Sequence, residues 1–308
     1  MTQKAKIIKD SLNSQGQRIT TFELDYWRPI HAEMLTHRIF SRNSQSSRAV
    51  PVEKVIEQVR NNPASPSHWG KKQKGMQADK QLTGEDLRRA KNLWNLAAYD
   101  AANIAERMLA VGGHKQWVNR VLEPFQTMKV VLTSTDFDNF LWLRNHKDAQ
   151  PEAQELAKPV QQELDTSKPD LLLHANMWHL PYVKTDVVGN KQYYFDDDGN
   201  EISLDQALKI SCSSCAQVSY RKLDTSLEKA EDLYARLVAS DPVHASAFEH
   251  AAKTCSGLIN DRNQEWNDGI THVNRKGDWF SGNFKHWVQY RQLIPKNSRA
   301  YTSTQSIT

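Results

Sequence analysis

The chain has few cysteines and no long apolar run, and both absences limit what it can be. Three cysteines, at positions 212, 215 and 255, occur in 308 residues. They cannot all pair with one another, which indicates a reducing compartment and excludes a disulfide scaffold. No apolar run approaches the roughly 20 residues of a membrane span, and the first residues lack the apolar segment of a signal peptide. We therefore expect a cytoplasmic protein, or one in the host cytoplasm if it is virally encoded.

The chain also has little excess charge of either sign. Lys and Arg number 40 against 36 Asp and Glu, which leaves a net charge of +4. This balance excludes a disordered polyelectrolyte but leaves anionic ligands open. Residues 68–75 (HWGKKQKG) form a basic, aromatic segment that is typical of a mobile surface loop. The same segment leaves a non-enzymatic nucleotide- or nucleic-acid-binding protein as the alternative function.

The hydrophobic pattern predicts a mixed chain of helices and strands. Residues 19–27 alternate as a strand does, whereas apolar residues recur at helical spacing from Thr83 to Leu109, before Gly112 and Gly113. We expect an α+β fold with a long helical core and an antiparallel sheet, in one domain over residues 1–295 with a flexible tail at 296–308. Further predicted elements are a loop at 50–82, a hairpin at 182–203, and helices at 115–122, 138–144, from Pro151, at 204–210 and at 226–239.

The pair Cys212 and Cys215 has the spacing of metal ligands, but the sequence has no second such pair. His174 and His179 could complete a zinc site, while the alternative is a pair of buried structural thiols. We expect no metal.

Residues 36–48 (THRIFSRNSQSSR) concentrate cations, amides and hydroxyls. Guanidinium groups bind phosphate through two parallel hydrogen bonds, and serine hydroxyls can satisfy its remaining oxygens. Composition alone leaves two interpretations, a solvated polar loop or a binding site for a nucleotide phosphate.

A resemblance narrows this choice. The run HRxxSxNxxSxR, from His37 to Arg48, resembles the signature RHRxxSxNExSxR of flavin-dependent thymidylate synthases, although Thr36 and Ser44 replace its first arginine and its glutamate. Residues 139–152 (NFLWLRNHKDAQPE) resemble the family segment that follows the signature. Residues 215–220 (CAQVSY) and 244–250 (HASAFEH) resemble segments that precede it in the common form, and the resemblance places Cys215 in a strand. This order implies a permuted variant whose usual N-terminal segment lies at about residues 205–254.

The resemblance implies an enzyme that converts dUMP to dTMP. Methylenetetrahydrofolate would donate the carbon, FAD would carry the hydride and NADPH would be the reductant. It also implies a homotetramer with active sites shared between subunits, and no nucleic-acid or membrane partner.

Individual roles follow from the resemblance position by position. Arg144 matches the arginine that binds uracil and favours ionisation of N3, so it is the expected catalytic residue; without the resemblance, a surface salt bridge, for example to Asp136, is the simpler interpretation. The residues expected to bind FAD are His37, Arg38, Asn43, Ser44, Asn139, Ser219, Ser246 and Glu249. Those expected to bind dUMP, besides Arg144, are Glu33, Ser46, Ser47, Arg48 and Arg120.

Overall fold

The computed structural model describes residues 3–219 and 223–298. In these ranges no helix combines the length and apolar character that crossing a membrane requires. The chain groups into two compact units, one with residues 1–10, 20–168 and 217–223, the other with 11–19, 169–216 and 224–308. The limits of the predicted single domain stay a prediction, and most of the predicted tail lies outside the described residues. Helices and antiparallel sheets together confirm the α+β class.

The first unit contains an antiparallel sheet that carries the signature. Its strands are β1 (Lys4–Asn13), β2 (Arg18–Trp27), β3 (Ser41–Ser44) and β4 (Thr127–Ser134), in the order β3-β4-β2-β1. β2 confirms the predicted strand and pairs with β4 from Thr20↔Ser134 to Trp27↔Thr127. β3 pairs with the other edge of β4 from Ser41↔Thr133 to Ser44↔Val130. The middle of the signature is therefore a strand in register with the sheet.

The described residues of this unit form six α-helices. They are α1 (His31–Leu35), α2 (Val52–Asn61), α3 (Gly84–Ala110), α4 (Lys115–Val118), α5 (Asp138–Arg144) and α6 (Pro151–Thr166). Short 3₁₀ segments at Arg28–Ile30, Asn119–Phe125 and Gln217–Ser219 complete it. α3 confirms the long predicted helix and α6 the one predicted from Pro151, which occupies the first turn of α6, where its missing N–H costs nothing.

The prediction of a continuous loop over residues 50–82 is wrong at α2. Val52, Val55, Ile56 and Val59 recur at helical spacing, and all four are buried. They pack in one cluster with Ala98, Ala102 and Ala105 of α3. Alanines on α3 allow the two helices to approach closely, so tertiary packing stabilises a segment whose polar composition suggested a loop.

The core of the first unit lies between its sheet and α5 and α6. Phe22 and Leu24 of β2 pack there with Met128 and Val130 of β4. Phe40, Phe137, Phe140 and Leu156 close the same cluster. Phe40 ends the turn of the signature, so this core anchors the turn to the sheet.

The second unit is built from short strands and two helices. The end of β1 pairs in parallel with β5 (Asp170–Leu172), and the predicted hairpin is confirmed as β7 (Lys184–Val188) and β8 (Lys191–Phe195), extended by β9 (Glu201–Ile202). The helices are α7 (Leu204–Ala216) and α8 (Leu227–Ala239). The remaining strands are β6 (Trp178–His179), β10 (Ala252–Lys253), β11 (Ile259–Asn260), β12 (Glu265–Trp266), β13 (His272–Val273), β14 (Trp279–Ser281), β15 (Phe284–Lys285) and β16 (Val288–Gln289).

The two neighbouring cysteines lie on α7. The expectation that Cys215 belongs to a strand is wrong, because α7 continues to Ala216 and its small side chains are buried from Ser211 to Cys215. Both thiols are buried, as the structural interpretation predicted, and neither forms a disulfide. Burial raises the pKa of Cys212 and of Cys215 above the usual range of a thiol. Within the described residues no cluster of His, Cys, Asp or Glu could hold a metal ion.

Candidate active site

The turn between α1 and β3 forms the centre of the candidate site. α1 ends at Leu35, and the chain turns through Thr36–Phe40 before β3 begins at Ser41. Arg42 of β3 donates from Nη1 to the carbonyl oxygens of Met34, at 2.6 Å, and His37, at 3.1 Å. Both carbonyl oxygens also accept a backbone N–H, from His37 and from Phe40 respectively, so Arg42 gives each of them a second donor. The turn is thus held by a residue of the sheet.

Arg144, at the end of α5, reaches this turn with each nitrogen of its guanidinium group. Nε donates to His37 Nε2 at 3.0 Å, Nη2 donates to Thr36 Oγ1 at 3.0 Å, and Nη1 lies 2.5 Å from Glu33 Oε2. The alternative interpretation, a surface ion pair of Arg144 with Asp136, is wrong, because the carboxylate that pairs with Arg144 is that of Glu33. Asp136 instead accepts a hydrogen bond from the backbone N–H of Asp138, because it lies at the start of α5 and Arg144 at its end. We call Glu33, Thr36, His37 and Arg144 the arginine cluster.

His37 is neutral in this arrangement. A guanidinium group has no acceptor, so Nε2 of His37 must accept the bond from Arg144 and the ring proton must be on Nδ1. Burial lowers the pKa of His37 below its ordinary 6.5, and the charges of Arg144 and Arg42 lower it further. The ring is 5% exposed and packs against Phe40 and Phe140, with centroids 5.6 and 5.2 Å away. His37 therefore serves here as a buried acceptor for Arg144.

Thr36, one of the two departures from the family signature, belongs to the same cluster. Its hydroxyl accepts from Arg144 and donates to the carbonyl oxygen of Glu33 at 2.7 Å. An arginine at this position would bring a second cation to Arg144, with an energetic cost in a partly buried site. The threonine removes this repulsion and contributes one acceptor for the guanidinium group.

The end of the signature is joined to a segment far away in sequence. The backbone N–H of Ser46 donates to Ser219 Oγ at 2.9 Å, a contact between residues 173 positions apart. Ser219 ends the 3₁₀ segment Gln217–Ser219, which packs on β3 and β4. The structure thus brings together Ser46, expected at dUMP, and Ser219, expected at FAD. Tyr220, the last residue of that motif, lies outside the described residues.

Asn119 holds the turn that follows β3, and the sequence analysis missed it. Its Nδ2 donates to the carbonyl oxygens of Ser47, at 2.6 Å, and Val50, at 2.9 Å. The side chain is fully buried. Asn119 Oδ1 and Ser47 Oγ are buried with no hydrogen-bond partner among the described residues. The only signal in the sequence was the place of Asn119 directly before Arg120, a position that matches the family.

Arg48 and Arg120, two of the residues expected to bind dUMP, lie on the segments that Asn119 joins. The side chain of Arg48 is exposed, and its backbone N–H donates to Ser46 Oγ at 3.3 Å. The side chain of Arg120 is 55% exposed and pairs with Glu123 at 2.8 Å. Glu123 also pairs with Arg28 at 3.1 Å, a residue that the sequence analysis did not select. This corner of the unit therefore carries three guanidinium groups and one carboxylate.

The other matched positions are distributed over both units. Arg38 and Asn139 are exposed, and they neighbour His37 and Phe140, whose rings are in contact. Asn43 and Ser44 lie in β3, Asn43 buried and Ser44 partly exposed. In the second unit Ser246 is exposed, whereas Glu249 forms an ion pair with Arg291.

Comparison with known proteins gives matches among solved structures alone. No family model matches the chain, and no curated protein matches it. The UMP/dUMP methylase PolB of Streptomyces cacaoi, bound with 5-Br UMP, is 14% identical with a TM-score of 0.44; the match covers 53% of this chain and 88% of that one. Thymidylate synthase X (ThyX) of Helicobacter pylori, with FAD and dUMP, is 15% identical with a TM-score of 0.35, over 47% of this chain and 67% of that one.

The chain resembles flavin-dependent thymidylate synthases at low identity. At these identities and TM-scores the structural matches carry no assignment of activity, and the function is argued from the site itself.

Proposed function

We propose that the protein methylates dUMP to dTMP. Methylenetetrahydrofolate would donate the carbon, and FAD would pass a hydride from NADPH. The observation that carries this proposal is the arginine cluster, in which a guanidinium group is held in one orientation next to the matched signature. The contact of Ser46 with Ser219 adds a second match, because it joins two motifs that sequence order separates.

The arginine cluster suits the activation of a uracil ring. For C5 to attack a one-carbon electrophile, the ring must develop negative charge at N3 and O4. A guanidinium group already held by His37 and Thr36 stabilises that charge without reorganising during the reaction. Arg144 is 16% exposed, and the ion pair with Glu33 leaves one N–H of Nη1 for a ligand. We therefore assign Arg144 as the catalytic residue.

The corner around Asn119 suits the phosphate of the nucleotide. Arg48 and Arg120 are exposed cations on segments that Asn119 holds together. A phosphate can accept from both guanidinium groups and from the Ser46 hydroxyl. Glu123 would keep its ion pair with Arg28, so Arg120 could exchange one carboxylate for the phosphate.

Some of the residues expected to bind FAD suit a flavin dinucleotide. Arg38 offers an exposed cation for its phosphates, and Asn139 an exposed amide for polar groups of the flavin ring. The ring of His37 does not fit a direct contact, because it is buried and its Nε2 is already bonded to Arg144. When bound, FAD would carry a hydride between NADPH and the product. Ser246 and Glu249 stay candidates by resemblance.

An exposed apolar stripe on α3 supports the proposed homotetramer. Leu93 and Ile104 of α3 are 64% and 42% exposed, and Val111, the residue directly after the helix, is 83% exposed. At 3.6 residues per turn these positions align on one face, apart from the buried face of Ala98, Ala102 and Ala105. Light scattering during gel filtration should give four times the mass of the chain, and Leu93→Glu should lower it; a monomeric wild-type protein would contradict this part of the proposal.

Flavin binding and turnover test the proposed function. Full-length protein reconstituted with FAD should be yellow and should form dTMP from dUMP, methylenetetrahydrofolate and NADPH. Arg144→Ala should keep flavin reduction by NADPH and lose dTMP formation. Arg88→Ala, which removes an exposed ion pair with Glu85 on α3, is the matched control and should retain activity.

A colourless protein that binds nucleic acid in a salt-dependent manner would favour the non-enzymatic alternative, for which the exposed lysines of residues 71–74 are the supporting feature.

A further inference from the structure

The carboxylate of Glu33 changes which pyrimidine the arginine cluster can hold. Its Oε2 pairs with Arg144 Nη1, while the carbonyl of the same residue accepts from Thr36 and from Arg144 Nη2, the latter at 3.4 Å. Glu33 is therefore fixed at both its backbone and its side chain. The side chain is 36% exposed, so the carboxylate and the guanidinium group face a ligand together.

An ionised carboxylate only accepts hydrogen bonds, whereas a guanidinium group only donates them. Side by side, Glu33 and Arg144 present one acceptor and adjacent donors. Cytosine offers the complement, since its exocyclic N4 donates and its N3 accepts; a carboxylate accepting from cytosine N4 is a recurrent recognition contact. Uracil has an acceptor, O4, in place of N4, and two acceptors facing each other leave a polar group unsatisfied.

The charge developed in the reaction leads to the same preference. When C5 of cytosine attacks an electrophile, the N4 lone pair supplies electron density and positive charge develops at N4. A carboxylate beside N4 stabilises this charge. For uracil, the same carboxylate offsets part of the stabilisation that Arg144 gives to the negative charge at N3 and O4.

We propose that this site also accepts dCMP and methylates it at C5. Glu33 accepts from N4–H and Arg144 donates to N3. The new C–C bond joins C5 to the methylene carbon of methylenetetrahydrofolate, the bond from that carbon to the folate nitrogen breaks, C5 loses its proton, and a hydride from NADPH completes the methyl group. The balance is dCMP, methylenetetrahydrofolate, NADPH and H⁺ giving 5-methyl-dCMP, tetrahydrofolate and NADP⁺. This inference rests on the proposed function, because it requires Arg144 to meet the base.

Binding and turnover of the two nucleotides test the inference separately from the proposed function. Calorimetric titration of the full-length, FAD-reconstituted protein should show binding of both dCMP and dUMP. Mass spectrometry should find 5-methyl-dCMP after incubation with dCMP, methylenetetrahydrofolate and NADPH. In Glu33→Gln, an isosteric change that supplies an amide donor, the ratio of kcat/KM for dCMP to that for dUMP should fall about tenfold or more.

Glu85→Gln is the matched control, since Glu85 also pairs with an arginine but is exposed on α3. It should leave the ratio of the two kcat/KM values unchanged, and a thermal melt would verify that each variant is folded. Turnover of dUMP with no binding or methylation of dCMP would overturn this inference and leave the proposed function standing. An unchanged ratio in Glu33→Gln would also overturn it. Binding of neither nucleotide would overturn both.

Discussion

Replacing Asn119 with alanine tests whether a single buried amide holds the turn after β3. The substitution removes two hydrogen bonds, to the carbonyl oxygens of Ser47 and Val50. Leaving a buried acceptor unsatisfied costs about 1–3 kcal/mol. The Ser47 carbonyl is in the more buried of the two bonds, and removing the unpartnered Oδ1 of Asn119 returns part of the loss. We expect the free energy of unfolding to fall by about 2 kcal/mol.

Urea denaturation of the full-length protein measures this change. Asn103→Ala is the matched control, because Asn103 is on α3 and its amide oxygen accepts from Arg60 at the surface. That variant should stay within about 0.5 kcal/mol of the wild type. If the turn holds Ser46 and Arg48 for a phosphate, the Asn119 variant should also raise KM for dUMP more than it lowers kcat. An Asn119→Ala protein as stable as Asn103→Ala, with an unchanged KM, would refute the reasoning.

Three further predictions follow from the first unit and its loop. Leu156→Ala should lower the free energy of unfolding by about 2–5 kcal/mol in urea denaturation, because Leu156 is fully buried, whereas Leu171→Ala, at an exposed position of β5, should lower it by under about 0.5 kcal/mol; equal losses would contradict the described core. Because the pKa of His37 is lowered in the folded state, the unfolded chain binds an additional proton below pH 6.5, and the free energy of unfolding falls as the pH falls. In urea titrations at pH 7 and pH 5, His37→Gln should lose less of this free energy between the two pH values than the wild type does. An identical loss in both proteins would contradict a neutral His37. Neutralising the lysines of residues 71–74 should raise KM for NADPH or for methylenetetrahydrofolate, as expected if this loop receives the phosphates or the glutamate tail; unchanged steady-state kinetics would exclude that role.

The elements that could be predicted from sequence are those with strong local signals. α3 has a long helical repeat between a threonine and two glycines, and α6 begins at a proline, so both were predictable. α2 was missed because polar residues dominate its composition, although its four valine and isoleucine positions have helical spacing. Cys215 was predicted in a strand because the resemblance placed it there. It lies instead in α7, which the burial of small side chains extends to Ala216.

The candidate site was predictable as a set of positions but not as a set of contacts. The resemblance selected Glu33, His37 and Arg144 one by one. Their convergence depends on α5 packing beside the turn after α1, which no local pattern encodes. Thr36 appeared as a loss relative to the family and proves to be a partner of Arg144. Asn119 was missed because its role is to bind two carbonyl oxygens, and a backbone contact leaves no mark in a side-chain motif.

The central claim is that Arg144 activates a pyrimidine in a flavin-dependent methylation. The most direct test uses the full-length protein reconstituted with FAD. The flavin is first reduced, methylenetetrahydrofolate and dUMP are then added, and oxidation of the flavin is measured by its absorbance. We predict rapid oxidation with dTMP formed in the wild type, and, in Arg144→Ala, a flavin that is still reduced by NADPH but yields no dTMP. A wild-type protein that binds no FAD, or an Arg144→Ala variant that forms dTMP at the wild-type rate, would contradict the account.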